Sequence, residues 1–149
     1  MRSLFVTDTV YDMVILGAGS GGYAAALRGA QLGLKVALIE ADKVGGTCLH
    51  RGCVPTKAIL HSAETARTVR EAAAVGVRAA FEGIDMPAVQ KYKNGVVARM
   101  YKGLQGLVSS RGIEVISGWG RLVAKDVVEV NGRRYRGRNI VLASGSFSK

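Results

Sequence analysis

Asp12-Met13-Val14-Ile15-Leu16-Gly17-Ala18-Gly19-Ser20-Gly21-Gly22 is the stretch whose reading decides the fold. A short apolar run, Asp12 to Leu16, ends abruptly at glycines, as a buried strand does. From Gly21 to Leu32 the residues are small and suited to a helix, and Gly33 is placed to stop it. Lys35-Val36-Ala37-Leu38-Ile39-Glu40 is a second apolar run, so residues 12–40 have βαβ form. Gly17, Gly19 and Gly22 stand in G-x-G-x-x-G register at the strand–helix junction. In that register the first glycine permits the tight turn, the second lets backbone approach a pyrophosphate, and the third lets helix and strand pack closely. The helix N-terminus then offers unpaired N–H groups and a positive dipole end to phosphate. Glu40 closes the second strand, 18 residues after Gly22, where a carboxylate accepts hydrogen bonds from a ribose. A glycine-rich turn followed by an ordinary surface glutamate is the plainer alternative. Strand, helix, second strand and terminal acid together favour dinucleotide binding, and the acid disfavours a 2′-phosphate.

The rest of the chain fits one domain over residues 1–149, built as an α/β fold: a parallel sheet with helices and a small antiparallel meander. Residues 1–11 show no usable pattern. A helix is expected from Pro55–Thr56 to about Ala74, and another from an Asp85 N-cap, with Pro87 in its first turn, to about Ser109. Short strands are expected at 113–116, 121–124, 127–130, 133–136 and 139–143, with Asn131-Gly132 as a two-residue hairpin turn. Hydrophobic residues make up 48% of the chain, which is enough for a packed core. With 2 cysteines, a disulfide-rich secreted scaffold is excluded. No signal peptide is visible, and no apolar run approaches the roughly 20 residues of a membrane span, so a cytoplasmic location is expected. The net charge is +10, of which +7 falls in residues 99–149. That invites a nucleic-acid reading, but only Trp119 and Tyr135 interleave the basic residues, and no nucleic-acid partner is expected.

Both cysteines fall in Cys48-Leu49-His50-Arg51-Gly52-Cys53. In a regular helix, residues five apart have Cα atoms roughly 8.7 Å apart, whereas a disulfide needs less than about 7 Å. A bridge here therefore requires a break in the helix, which Gly52 and Gly45-Gly46 permit. So small a ring makes more sense as a redox couple than as a staple. Two alternatives stand beside it: a pair of buried, inert thiols, or a zinc site of Cys48, His50, Cys53 and His61. The ligand spacing for zinc is loose, and zinc leaves the glycine fingerprint unexplained. Lys57, one helical turn after Cys53, is either a cation beside a thiolate or a solvated surface lysine.

Gly45 to Lys57 as a whole, Gly-Gly-Thr-Cys-Leu-His-Arg-Gly-Cys-Val-Pro-Thr-Lys, resembles the redox-active signature of the class I pyridine nucleotide-disulfide oxidoreductases. The Cys-Leu start and the following Ala58-Ile59-Leu60-His61 favour the dihydrolipoyl dehydrogenase branch over glutathione or mercuric reductases. The likeness runs from about residue 12 to 146. It implies a Rossmann-like FAD-binding domain, with Gly17, Gly19, Ser20 and Gly22 cradling the pyrophosphate and Glu40 on the adenosine ribose. Residues Ala41 to Cys48, including Gly46 and Thr47, would line the same cofactor. Cys48 would be the interchange thiol, Cys53 the thiolate facing the flavin, and Lys57 a neighbour of the reactive flavin nitrogen. Gly120, in Gly118-Trp119-Gly120, would touch the adenine side. Ala143-Ser144-Gly145-Ser146 would close over FAD, with Ser144 and Gly145 as contacts and Ser where the family usually has Thr. His50 stands where many members carry Asn. The implied reaction passes electrons from dihydrolipoamide through a Cys48–Cys53 disulfide and FAD to NAD. The implied partners are the lipoyl domain of a 2-oxo acid dehydrogenase complex and a second copy of the chain. No metal is expected. No second G-x-G-x-x-G occurs, and the sequence reads Phe147-Ser148-Lys149 at its end, so a truncated form, inactive alone, is expected.

Overall fold

The computed structural model describes residues 6–146; Phe147, Ser148 and Lys149 lie outside them. Two compact units divide the chain, one of Met1–Gly46 with Lys102–Lys149 and one of Thr47–Tyr101.

The first unit is a six-stranded sheet of β1 (Val6–Leu16), β2 (Val36–Glu40), β3 (Glu114–Ser117), β4 (Gly120–Ala124), β5 (Val127–Val130) and β6 (Arg133–Leu142), in the order β3-β2-β1-β6-β5-β4. β3, β2, β1 and β6 run parallel, while β4, β5 and β6 form an antiparallel meander. Helix α1 (Ser20–Gln31) connects β1 to β2, which is the expected βαβ unit. Its end is sealed by Gly33 N–H on Ala30 O at 3.0 Å and Leu34 N–H on Gly29 O at 3.0 Å, the paired bonds of a Schellman motif. Val36 to Ile39 are all buried, because a parallel strand covered on both faces needs apolar side chains in both directions. On one face Val14, Ala37, Ile39 and Ile116 pack with Val128, Val130 and Tyr135 of the meander. On the other, the small residues Ala26 and Gly29 bring α1 close; a Cβ on Gly29 would stand 3.1 Å from Val36 Cγ2. Each fully buried aliphatic side chain, such as Ile15 or Leu38, contributes about 1.5–3 kcal/mol.

Two expectations about the strands change. The first strand begins at Val6, inside the lead that showed no pattern, because it pairs with β6 at Val6↔Arg134 and resumes after an irregularity at Val10↔Arg136. The strands expected at 133–136 and 139–143 are one strand, β6. Gly137 sits at their junction without breaking it; a Cβ there would stand 2.8 Å from Val14 Cγ2. β6 pairs with β5 through its first residues and with β1 along nearly its whole length, so it carries the meander across the parallel sheet. Asn131 and Gly132 form the expected hairpin turn, with φ of 50° and 78°, as a type I′ turn requires.

Four arginines of the tail meet acids within the same unit. Glu129 pairs with Arg134 at 3.2 Å and Arg121 at 3.7 Å, Asp126 with Arg136 at 3.2 Å, and Asp12 with Arg138 at 3.5 Å. Such surface pairs add little stability, but they account for much of the arginine clustering.

The second unit is helical. It contains α2 (Gly46–His50) from Thr47 onward, α3 (Cys53–Glu71), a 3₁₀ turn (Ala72–Val75) and the start of α4 (Met86–Ser110). Asp85 caps α4 as expected, its Oδ1 accepting from Ala88 N–H at 3.0 Å. No helix among the described residues is long and apolar enough to cross a membrane.

Candidate functional site

In the first unit, the glycine fingerprint lies where β1 gives way to α1. Gly17 has φ +99°, a conformation that L side chains rarely adopt. Its N–H donates to Ile39 O at 2.8 Å, and Ala143 N–H donates to Leu16 O at 2.8 Å, so β2 and β6 pin the turn from both sides. A Cβ on Gly17 would collide with the Ala143 carbonyl, and one on Gly22 with the Gly17 carbonyl. A Cβ on Gly46 would stand 2.7 Å from Gly19 Cα. The result is a concentration of bare backbone drawn from β1, α1, the end of β6 and the segment after β2.

Two further features suit this place to an anion. The N-cap of α1 is Gly19, which supplies no capping side chain, and no acidic residue stands in the first turn. The opening N–H groups of the helix therefore keep their affinity for a phosphate. Glu40 is held at the cradle: Oε2 accepts from Ala18 N–H at 2.7 Å and Oε1 from Asp42 N–H at 2.9 Å.

The structure brings Gly17, Gly19, Ser20, Gly22, Glu40, Gly46 and Ser144 into one region of this unit, with Ala41 next to Glu40. Gly120 adjoins that region through Gly118, whose N–H donates to Glu40 O at 2.8 Å. Gly120 is enclosed by core side chains: a Cβ there would meet Leu16 Cδ1 and stand 3.0 Å from Ile39 Cγ2 and 3.2 Å from Val128 Cγ1. Packing between the meander and the parallel strands is thus sufficient reason for a glycine. A Cβ on Gly145 would find no atom within 4 Å. Sequence reasoning missed Ala18, whose N–H holds Glu40 and whose carbonyl accepts from Gly45 N–H at 2.8 Å. Both bonds are backbone bonds, so the side chain carries no signal of them.

In the second unit lies the thiol pair. The helix expected from Pro55–Thr56 starts earlier: α2 runs to His50, and Cys53 is the first residue of α3. The break is confined to Arg51-Gly52, whose N–H groups both donate to Thr47 O, at 2.9 and 2.7 Å. Gly52 has φ −118° and ψ −105°, away from the helical region. This is the interruption that the spacing demands. It places Cys53 near enough to Cys48 for the two thiols to interact, and both cysteines are free. Cys48 is half-buried and Cys53 exposed. The hydrogen bond with Cys48 raises the Cys53 thiol above its ordinary value, with burial and the charge of Cys48 adding to it; a backbone hydrogen bond and Lys57 oppose the rise. Lys57 thus acts on Cys53 from one turn along α3. Among the described residues no group of three or more His, Cys, Asp or Glu is arranged to hold a metal. Cys48, His50, Cys53 and His61 are therefore not arranged as a ligand set among the described residues.

The sequence profile of the pyridine nucleotide-disulphide oxidoreductases matches residues 11–149. The chain belongs to this family. Its similarity to individual members is high. It is 49% identical over 119 residues to the dihydrolipoyl dehydrogenase of Bacillus subtilis, covering 80% of the chain and 25% of that protein. It is 43% identical over 136 residues to that of Thermus scotoductus, covering 91% of the chain and 29% of that protein. It is 45% identical over 142 residues to that of Chlamydia muridarum, covering 93% of the chain and 30% of that protein. The chain therefore spans between a quarter and three-tenths of the length of these oxidoreductases.

Proposed function

We propose that residues 1–149 form the FAD-binding, dithiol-bearing domain of an oxidoreductase that interconverts dihydrolipoamide and NAD⁺ with lipoamide and NADH. The single observation that carries this reading is the adjacency of the Cys48 and Cys53 thiols across a two-residue helix break. Two neighbouring thiols on a short loop are the minimum apparatus for taking up and releasing an electron pair as a disulfide.

The residues present fit FAD. The bare backbone at Gly17, Gly19, Gly22 and Gly46, where a Cβ at three of the four would clash, and the uncapped start of α1 at Ser20 suit a pyrophosphate. Each Glu40 oxygen accepts one backbone N–H and keeps a free lone pair for a ribose hydroxyl. Ala41, Thr47, Ser144 and Gly145 extend the proposed contacts, and Gly120 is the weakest of them, since core packing already explains it. When bound, the flavin supplies a two-electron carrier between a dithiol and a nicotinamide.

The chain's own residues supply the exchange chemistry. A substrate thiolate attacks Cys48 Sγ of the oxidised pair, and the sulfur–sulfur bond breaks with Cys53 leaving as a thiolate. The second substrate thiol then attacks the mixed disulfide, forms the product disulfide and releases Cys48. The pair gains two electrons and ends as the dithiol present here. Lys57 favours the thiolate of Cys53. The lipoyl domain of a 2-oxo acid dehydrogenase complex and a second copy of the chain are the proposed partners, and a cytoplasmic location the proposed setting. The chain spans three-tenths or less of these relatives' length, and the 149 residues alone are proposed not to reduce lipoamide with NADH.

Three measurements on the purified chain test the reading. FAD should bind with a fixed stoichiometry in a fluorescence titration. Oxidised glutathione should generate a Cys48–Cys53 disulfide, located by mass spectrometry, and dihydrolipoamide should reduce it. FAD binding without a reducible disulfide would leave a non-catalytic flavin module. Neither flavin nor disulfide, or robust NADH-dependent lipoamide reduction by the chain alone, would overturn the proposal.

A further inference from the structure

The geometry of the thiol pair depends on how α2 ends, and α2 has five residues. A helix that short has little stability of its own, since the first turn is costly to form. Its direction must be fixed by side chains. Leu49 is buried and supplies one anchor. The next residue, His50, supplies another: its ring meets Tyr101 in an edge arrangement, with centroids 4.9 Å apart and planes at 75°. Both rings are half-buried, and Tyr101 belongs to α4, a 25-residue helix that serves as a long support. Beyond His50, the chain folds back sharply; a Cβ on Gly52 would stand 3.2 Å from Thr47 O and 3.6 Å from Cys48 Cα.

We infer that the His50–Tyr101 contact is a clamp that sets the approach of the Cys48 and Cys53 sulfurs, making both rings positioning residues for the dithiol–disulfide couple. The inference rests on the redox reading of the cysteines but goes beyond it, since neither ring takes part in the exchange. In an unbroken helix the two cysteines stand roughly 8.7 Å apart at Cα, so their contact is created wholly by the fold at Arg51-Gly52. His50 is the last helical residue before that fold. Loosening it lets α2 swing, and the time that the sulfurs spend within bonding reach falls. Edge-on aromatic pairs of this spacing contribute modestly beyond the area they bury. The expected consequence is a fall of about 3- to 10-fold in the effective concentration of one thiol at the other. For a two-electron couple, tenfold corresponds to about 30 mV in potential.

The test is the equilibrium of the Cys48–Cys53 pair in the 149-residue chain against a glutathione redox buffer, read by quantitative thiol alkylation and mass spectrometry. His50→Ala and Tyr101→Ala should each shift it toward the dithiol by the stated factor. The double variant should shift no further than either single one, because the two substitutions remove the same contact. Tyr101→Phe keeps the ring that meets His50, and should stay within twofold of the parent. Far-ultraviolet circular dichroism separates a local effect from unfolding, and Tyr101→Phe preserves the test if an Ala variant unfolds. An unchanged equilibrium in both Ala variants, a double variant equal to the product of the singles, or the Phe variant as impaired as Ala would each overturn the clamp. If the parent chain forms no Cys48–Cys53 disulfide in any buffer, the redox reading itself fails, and the clamp with it.

Discussion

Three glycines within four residues should respond to alanine in three different ways. Gly22 lies in α1 with the position of its missing Cβ inside the Gly17 carbonyl. Both partners are backbone, so no side chain can turn aside, and α1 must move off β1. Overpacking of this kind costs about 1–3 kcal/mol. The helix gains about 0.5–1 kcal/mol from replacing glycine by alanine, which leaves a net loss of up to about 2 kcal/mol. For a chain of this length that lowers the melting temperature by about 4–8 °C. Gly21, its neighbour in the same helix, has no atom within 4 Å of its Cβ position. Gly21→Ala should therefore be neutral, or stabilise by about 0.5 kcal/mol. Gly19 also has open space and an ordinary extended backbone, with φ −68°. Gly19→Ala should leave the melting temperature unchanged, yet weaken FAD binding at least tenfold by placing a methyl group where the proposed pyrophosphate approaches. Thermal unfolding followed by circular dichroism, paired with a flavin fluorescence titration, measures both axes. A Gly22→Ala chain as stable as the parent, or a Gly21→Ala chain as damaged as Gly22→Ala, would refute the packing argument. Gly19→Ala with parental flavin affinity would refute the cradle.

Other outcomes follow from single contacts. Tyr11 is buried and donates to Glu114 Oε2 at 2.6 Å, and burial and that bond hold its phenol above the ordinary value of 10.0. A phenol raised in the folded state stabilises it below its unfolded value, so the advantage of parent over Tyr11→Phe, about 0.5–1.5 kcal/mol, should hold at pH 8 and shrink as pH rises past about 10; urea unfolding across that range checks it. Gly132→Ala places a side chain at φ 78° and should cost about 1–2 kcal/mol, whereas Asn131→Gly, which keeps the turn type, should cost less than half of that in the same assay. Removing Cys48 takes away the largest influence that raises the Cys53 thiol, so the pH midpoint of Cys53 alkylation should fall in Cys48→Ala and rise in Lys57→Ala. An alkylation midpoint that moves the other way in either variant would remove the electrostatic account of the pair.

The legible parts of the molecule were those with a local cause. The βαβ start, the Gly33 stop, the Asp85 cap and the Asn131-Gly132 turn each depend on residues within a few positions of one another. The candidate site was legible at the same level: the fingerprint glycines and the two cysteines declare themselves by type and spacing. Where reading along the chain went astray, the cause was a distant partner. Gly137 looks like a strand break until β1 is laid beside it, and Val6 joins the sheet because β6 offers it a partner.

By itself the sequence determined the fold class, the place of the glycine turn and the need for a break between Cys48 and Cys53. Those follow from the periodicity, from the conformations open to glycine and from the fixed rise of a helix. Tertiary structure decided what no local rule contains: that the meander crosses the parallel sheet and closes its core, that Ala18 and Asp42 hold the Glu40 carboxylate, and that the break at Arg51-Gly52 brings two thiols into contact beside a ring pair. Each of these joins residues through space, and chain order alone does not say which distant groups will meet.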